Sequence, residues 1–313
     1  MQLICGIHNL RARHYGCALT IGNFDGVHRG HQMLLKQLKQ EGKARNLPVM
    51  VMIFEPHPLE LFASNHAPAR LTRLRDKINY LASRGVDKLL CIKFDTNFAA
   101  QDAQDFVRYL LVEKLGVKFL VVGDDFRFGD NRIGDFLLLQ KSGKTHGFEV
   151  INTITACNRG SRISSTAVRD ALLHDDLPLA QELLGHPYSI SGRVVHGKEL
   201  GRMLGFPTAN LPMRRQVSPV GGVYAVEVHG LGLAPLPGVA NIGTRPTVDG
   251  DTHQQLEVHL LNVVMNLYGR HIEVVLCKKI RNEQRFFSLE VLKNQIAKDV
   301  LTAQTFFRLA APP

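Results

Sequence analysis

Two histidines, His28 and His31, lie three residues apart in the stretch GNFDGVHRGHQMLL. On a helix this spacing places both imidazoles on one face, where they could bind one polyphosphate and stabilise the charge that develops as a P–O bond breaks. No third ligand follows at close spacing and no HExxH is present, which disfavours a metal site. The flanking Gly22, Gly26 and Gly30 favour phosphate, because free backbone N–H groups at a helix start bind anions. Capping or packing is the alternative on spacing alone.

A second candidate phosphate contact is the stretch SSTAVR, residues 164–169. It predicts the start of a helix that carries the hydroxyls of Ser165 and Thr166 and the fork-shaped cation of Arg169. Simple helix capping by the hydroxyls is the alternative.

A glycine-rich stretch, GRVVHGKELGRMLG, precedes FPTAN in the last part of the chain. Such a loop lets backbone N–H groups close around phosphate oxygens. Pro207 keeps the chain extended, so Thr208 and Asn210 point the same way and offer oxygen ligands suited to Mg²⁺ beside substrate phosphates. A turn stabilised by these two side chains is the alternative.

In LEVHLL, strand alternation places Glu257 and His259 on one face and Leu256, Val258 and Leu260 on the other. A carboxylate that faces the inside of a small barrel is costly unless it is used or paired, which makes Glu257 a candidate catalytic group. On the barrel surface it would simply be solvated.

The elements that position these residues change in character along the chain. Up to about residue 185, apolar runs such as CALTIG, PVMVMIF and KFLVVG alternate with amphipathic stretches such as HQMLLKQLKQ. This alternation predicts a doubly wound, mostly parallel α/β sheet of the Rossmann-like type. SGKT (142–145) lacks the first glycine of a P-loop and is predicted to be a loop.

After about residue 185 the strand-like segments shorten and glycine and proline become frequent. YSISGRVV, GVYAVEV, QLEVHLL and HIEVVLCKKI predict a small antiparallel β-barrel, and SLEVLKNQIAKDVLTAQTFF predicts a closing helix. We therefore expect two domains, at residues 1–185 and 186–313.

Composition narrows the possible partners. The 313 residues carry a net charge of +10, divided equally between the two predicted domains, and show no dense basic run. This disfavours nucleic acid as a partner. No apolar run approaches the roughly 20 residues that cross a bilayer, so no membrane partner is expected. The five scattered cysteines form no CxxC pair, which suits a reducing cytoplasm.

Seven ordered motifs extend over nearly the whole chain: GNFDGVHRGH, FEPHP, GDDFRFG, SSTAVR, GRMLGFPTAN, NIGTRPT and LEVHLL. Together they resemble the family of bifunctional bacterial riboflavin kinases/FMN adenylyltransferases. The resemblance implies an N-terminal domain that adenylylates FMN with ATP to give FAD and pyrophosphate, and a C-terminal barrel that phosphorylates riboflavin with ATP. It implies riboflavin, FMN and ATP as substrates and Mg²⁺ with ATP.

The resemblance also implies roles for individual residues. His28, His31 and Arg169 would act on the phosphates, and Glu257 would take the proton from the ribityl 5′-hydroxyl. The implied ATP-binding residues of the first domain are Gly22, Asn23, Phe24, Asp25, Gly26, His28, Gly30, His31, Ser165, Thr166 and Arg169. Those of the second domain are Gly192, Gly197, Lys198, Gly205, Pro207, Thr208 and Asn210, with Thr208 and Asn210 holding Mg²⁺. The implied flavin-binding residues are Phe54, Pro56, His57, Pro58, Asp125, Phe126, Phe128, Arg285 and Phe286.

Overall fold

The computed structural model describes residues 1–62, 67–123, 125–153, 156–158, 160–197, 199–213, 217–246 and 252–309. Contacts divide the chain into two compact units. The first comprises Met1–Pro68 and Thr72–Ser165, and the second comprises Ala69–Leu71 and Thr166–Pro313. The division into domains at residues 185 and 186 stays a prediction.

The first unit contains a parallel six-stranded sheet. Its strands are β1 (Gln2–Cys5), β2 (Cys17–Ile21), β3 (Val49–Glu55), β4 (Lys88–Lys93), β5 (Val117–Val122) and β6 (Glu149–Asn152). They lie in the order β1-β4-β3-β2-β5-β6, and every neighbouring pair is parallel. The predicted doubly wound α/β class is confirmed. A two-stranded hairpin, β7 (Cys157–Asn158) and β8 (Ser161–Arg162), follows the sheet in the chain.

Helices connect these strands. They are α1 (Arg29–Ala44), α2 (Pro58–Phe62), α3 (Leu74–Ser83), α4 (Thr96–Ala99), α5 (Ala103–Asp105), which continues as a π-helix (Phe106–Lys114), and α6 (Phe136–His146). The prediction of a loop at residues 142–145 is wrong, because these residues lie in the last part of α6. Gly143 there packs closely against Phe148, so the glycine serves helix–strand contact.

The sheet is buried on both faces, as expected for parallel strands. Met50 and Met52 join the apolar cluster on one face, whereas Val51 and Ile53 join the cluster on the other. Strand β2 lies between β3 and β5, and the chain continues outward on both sides of it. The loops after β2, β3 and β5 therefore leave the same edge of the sheet, at its topological switch point, where ligands of such folds bind.

The second unit contains an antiparallel six-stranded sheet. Its strands are β9 (Ser189–Arg193), β10 (Ala209–Pro212), β11 (Gly222–His229), β12 (Leu236–Pro246), β13 (Thr252–Leu260) and β14 (His271–Arg281). They lie in the order β10-β13-β12-β11-β14-β9. Beyond β9, the N–H of Val195 donates to the carbonyl of Asn210 at 2.9 Å, so the two edges meet and the sheet is a nearly closed barrel. This agrees with the predicted barrel.

The described residues of this part of the chain also form the helices α7 (Ser165–Leu173), α8 (Leu177–Leu184), α9 (Leu200–Met203) and α10 (Leu289–Phe307). The barrel interior is filled by Tyr224, Leu256 and Val258, all nearly inaccessible to solvent. On the outer face, Ala303 of α10 joins an apolar cluster with Val223 of β11. The predicted closing helix therefore covers part of the barrel's outside.

A buried ion pair fastens α10 to the barrel. Arg281, at the end of β14, donates from Nε and Nη2 to the carboxylate of Asp299 at 2.8–3.0 Å, and Gln295 donates to the same carboxylate at 2.9 Å. Asp299 is only 3% exposed. The carboxylate is thus satisfied by three donors, the condition under which a buried charge is tolerated.

None of the described helices combines the length and the apolar character needed to cross a membrane.

We expect Asp299→Ala to lower the free energy of unfolding of the second unit by about 3–5 kcal/mol, because the Arg281 cation would stay buried without its partner. Urea unfolding followed by circular dichroism measures this loss. Arg202→Ala is the matched control: it removes a pair with Glu199 whose side chains are 66% and 43% exposed, so the expected loss is below about 1 kcal/mol. Equal losses in the two variants would contradict the role given to the buried pair.

Candidate active sites

The loop between β2 and α1 turns sharply before the two histidines. Phe24, Gly26 and Val27 have φ values of 50°, 81° and 41°, in the left-handed region. Two of these residues are not glycine, so the backbone of the turn is strained and surrounding contacts must stabilise it. Such strained turns are common at functional sites. Phe24 is buried and its ring lies 4.7 Å from the His31 ring.

Asp25 holds this loop in place. Its carboxylate accepts hydrogen bonds from the N–H and the hydroxyl of Thr72, at 3.0 and 3.2 Å, while the Thr72 hydroxyl accepts from the Gly26 N–H at 3.1 Å. Asp25 is expected from the resemblance to bind ATP; its contacts within the unit connect the loop to the segment that precedes α3. Thr72 was missed by sequence reasoning, since nothing in the chain marks a partner 47 residues from Asp25.

The two histidines stack on each other at the start of α1. Their ring centroids are 3.7 Å apart, with planes inclined by 22°. His28 is buried and its Nδ1 accepts from the backbone N–H of His31 at 3.4 Å, so it caps the helix as well. A Cβ at Gly30 would lie 3.1 Å from the His28 ring and 3.2 Å from the carbonyl of Ile163, which explains the glycine between the histidines.

His31 is held in its neutral form. Burial, followed by the charges of His28 and Lys77, lowers the pKa of His31 well below 6.5. Among the described residues, the His31 Nδ1 has no hydrogen-bond partner and is shielded from solvent. Lys77 of α3 is itself buried, and sequence reasoning missed it because a lysine in an amphipathic helix normally reaches solvent. His31 thus presents a neutral imidazole with an unused polar atom, which an oxygen-rich anion could engage.

The SSTAVR stretch reaches the same loop through its first residues. The hydroxyl of Ser165 donates to the carbonyl of Asp25 at 2.9 Å, and Ile163 lies against Gly30. Thr166, one residue later in α7, is exposed. Arg169 is half-buried and donates from Nε to the carbonyl of Ala69 at 2.6 Å.

The aromatic residues expected at the flavin pocket fall into one connected group. Phe54, near the end of β3, lies 5.6 Å from Phe98, and Phe126 stacks on Phe128 at 5.6 Å. Phe98 and Phe106 join the two sets, because the Phe98–Phe106 and Phe106–Phe128 ring distances are 6.2 and 5.2 Å. These rings belong to or pack against the apolar cluster on one face of the sheet, in which Phe106 and Phe128 are buried. Phe98 and Phe106 were not expected from the motifs.

Among the other polar candidates of this unit, Asp125 and His57 have partners of their own, whereas Asn23 has an oxygen without one. Asp125 forms an ion pair with Arg162 at 3.2 Å. The ring of His57 accepts a hydrogen bond from the Leu59 N–H at 3.2 Å. His57 lies between Pro56, which follows a cis peptide bond, and Pro58, the first residue of α2. Asn23 has a side-chain oxygen that is shielded from solvent and has no partner among the described residues.

In the second unit, strand pairing brings Glu257 between two asparagines. Asn210 of β10 and Asn241 of β12 both lie directly opposite Glu257 of β13, so the three side chains share one face. This is the outer face, because Leu256 and Val258 fill the interior. Glu257 is nevertheless half-buried, and its Oε1 is shielded from solvent. It is thus neither inside the barrel nor fully solvated.

The glycine-rich stretch lies against the PTAN segment. A Cβ at Gly197 would lie 2.6 Å from the Asn210 Cγ, and one at Gly201 would lie 3.2 Å from the Thr208 hydroxyl. His259 binds the Pro207 carbonyl through Nδ1 at 2.9 Å, and burial lowers its pKa.

The remaining candidates of this unit are more dispersed. Gly192 lies in β9 opposite Ile272, and Gly205 adopts a φ of 91° after α9. Lys198 lies outside the described residues. Arg285 is exposed, and the Phe286 ring lies 5.6 Å from the Arg281 guanidinium.

Comparisons with known proteins agree with this division into two sites. A family model described as FAD synthetase matches residues 10–167, and one described as riboflavin kinase matches residues 184–307. The bifunctional riboflavin kinase/FMN adenylyltransferase of Escherichia coli (strain K12) is 69% identical over 313 residues and covers 100% of both chains. The protein of the same description from Haemophilus influenzae is 53% identical over 307 residues, covering 98% of this chain and 99% of its own.

One solved structure is similar over almost the entire chain. It is described as a macrolide-efflux protein from Streptococcus pneumoniae, is 27% identical, and has a TM-score of 0.78. The similarity covers 97% of this chain and 99% of that one. This similarity supports the fold of the chain.

We expect His31→Gln to reduce the loss of stability of the first unit in acid. Because the folded-state pKa of His31 lies below its ordinary 6.5, the contribution of this group is present above pH 6.5 and is lost as the pH falls through the folded-state value. The loss amounts to at most about 1.4 kcal/mol per pH unit. Urea unfolding midpoints measured between pH 7 and pH 5 should fall less steeply in the variant than in the wild type.

His146→Gln, at the exposed end of α6, serves as the control and should keep the wild-type slope. Parallel slopes for wild type and His31→Gln would show that His31 is not held neutral by the fold.

Proposed function

The chain belongs to the family of bifunctional riboflavin kinases/FMN adenylyltransferases, and on this premise we propose that its two sites make FAD in two successive steps. ATP phosphorylates riboflavin to FMN, and a second ATP adenylylates FMN to FAD with release of pyrophosphate. We assign adenylylation to residues 1–185 and phosphorylation to residues 186–313. We further propose a cytoplasmic location. The cysteines favour it, because they are scattered along the chain and their number is odd.

We assign the adenylylation site from the stacked histidines at the start of α1. A phosphate oxygen of FMN attacks the α-phosphorus of ATP, and the bond to the leaving pyrophosphate breaks. Negative charge moves onto the pyrophosphate in this step, so catalysis depends mainly on positioning and charge stabilisation. His28 and His31 supply N–H donors at a helix N-terminus, where the backbone also favours anions. Neither ring acts as nucleophile or metal ligand in this scheme.

An anion close to His31 also changes its protonation. Burial and neighbouring positive charge keep the His31 ring neutral. A bound polyphosphate opposes both effects, because negative charge favours the imidazolium. A bound polyphosphate would therefore raise the pKa of His31. Ser165, Thr166 and Arg169 are the residues that we propose for the second set of phosphate contacts.

Glu257 carries the assignment of the phosphorylation site. The carboxylate takes the proton from the ribityl 5′-hydroxyl as that oxygen attacks the γ-phosphorus of ATP, and ADP leaves. Its position between Asn210 and Asn241 limits its movement. The shielded Oε1 indicates that little water competes for it.

Thr208 and Asn210 are the residues that we propose to hold Mg²⁺. A hydroxyl and an amide oxygen are hard, neutral donors that suit Mg²⁺ when substrate phosphates complete its coordination. Within the described part of the chain, no group of three or more His, Cys, Asp or Glu side chains is placed to hold a metal ion. The cation would therefore arrive with the nucleotide, and it would neutralise phosphate charge during transfer.

We expect the double variant His28→Ala/His31→Ala to lose at least about 10²–10³-fold in FAD formation, because charge on the leaving pyrophosphate loses its stabilising donors. FMN formation should keep its wild-type rate. Chromatography of riboflavin, ATP and Mg²⁺ incubated with the protein measures both products in one assay. Loss of both activities in a folded variant would contradict separate sites.

We expect Glu257→Gln to lower the kcat of FMN formation by about 10²–10⁴-fold, since the amide cannot accept the hydroxyl proton. FAD formation from added FMN is the internal control and should be unaffected. Turnover of riboflavin at the wild-type rate would exclude Glu257 as the base.

A further inference from the structure

The side-chain amide of Asn210 is held from two sides. Gln255 donates from Nε2 to the Asn210 Oδ1 at 2.6 Å. On the opposite side Gly197 lies so close that its own Cβ, if present, would be 2.6 Å from the Asn210 Cγ. Asn210 is only 5% exposed, so solvent does not determine which way its amide faces.

Strand register explains how Gln255 reaches this amide. Asn210 lies opposite Glu257, and Gln255 precedes Glu257 by two residues on the same face of β13. Gln255 is thus the diagonal neighbour of Asn210, within reach of a long side chain. The residue opposite Gln255 on β12 is Gly243, and the carboxylate of Glu283 lies over it, where a Cβ would otherwise be.

We propose that Gln255 is a positioning residue for riboflavin phosphorylation, which orients the Asn210 amide so that its oxygen faces the cation that accompanies the phosphates beside Glu257. This rests on the function proposed above. An amide oxygen has two acceptor sites, and Gln255 occupies one, which leaves the other for the cation. A reversed amide would instead present two N–H donors, which do not bind a cation. Partners that orient a metal ligand in this way typically change metal affinity or activity by about 10–100-fold.

The decisive variant is Gln255→Glu, because it keeps the size and shape of the side chain while replacing the donor with an acceptor. The Asn210 amide must then turn its nitrogen toward residue 255 and its oxygen away from the present direction. We expect the Mg²⁺ concentration for half-maximal FMN formation to rise about 10–100-fold. The kcat at saturating Mg²⁺ should fall less, and FAD formation should keep its wild-type Mg²⁺ dependence.

Gln181→Glu is the matched control. It makes the same chemical change at an exposed position of α8 in the same unit and should leave the Mg²⁺ requirement unchanged. Gln255→Ala removes the donor without adding a charge and should raise the requirement by a smaller factor than Gln255→Glu.

Equilibrium binding of Mn²⁺ in the presence of ADP, followed by electron paramagnetic resonance, tests the proposal without turnover. We expect weaker Mn²⁺ binding in Gln255→Glu than in Gln181→Glu. Wild-type Mg²⁺ requirement and Mn²⁺ binding in both Gln255 variants would overturn the positioning role. Absence of FMN formation by the wild-type protein would instead overturn the proposed function itself, so the two failures are distinguishable.

Discussion

The hydrogen bonds between Asp25 and Thr72 are the interaction on which the first site depends. The turn between β2 and α1 contains two non-glycine residues in the left-handed region, a conformation that each disfavours. Bonds from Thr72 to Asp25, and from Gly26 to Thr72, keep the turn closed. Only in this conformation does α1 begin where both histidines stack at its N-terminus. The buried carboxylate therefore helps to fix the loop that leads into the helix.

The second site depends on strand register. Because side chains alternate along a strand, a shift by one residue would move Glu257 into the apolar interior and Leu256 to the outside. The packed interior excludes that shift, and the same register places Asn210 and Asn241 beside the carboxylate. Glycines at 197 and 201 let the preceding loop approach this face closely. The apolar core of the barrel thus sets the geometry of a site on its outer surface.

Features that depend on local sequence patterns could be predicted, whereas features that depend on long-range contacts could not. The alternation of elements in the first unit follows from periodicity, and the family follows from motifs; both are confirmed. Strands β1, β10 and β12 were not predicted, and the last two contain proline or glycine that interrupts the strand pattern. Thr72 and Lys77 could not be recognised either, because their importance comes from loops distant in the sequence. Residue roles at both sites stay predictions.

The two sites treat phosphate charge in different ways. In the first unit a neutral imidazole, kept so by burial and by positive neighbours, faces the place proposed for a polyphosphate. Holding it neutral avoids the cost of a buried unpaired charge until an anion compensates it. In the second unit the carboxylate is already present and shielded, with neutral amides on both sides. A carboxylate close to phosphates would repel them, so the proposed second site combines it with neutral oxygen ligands that can hold a cation.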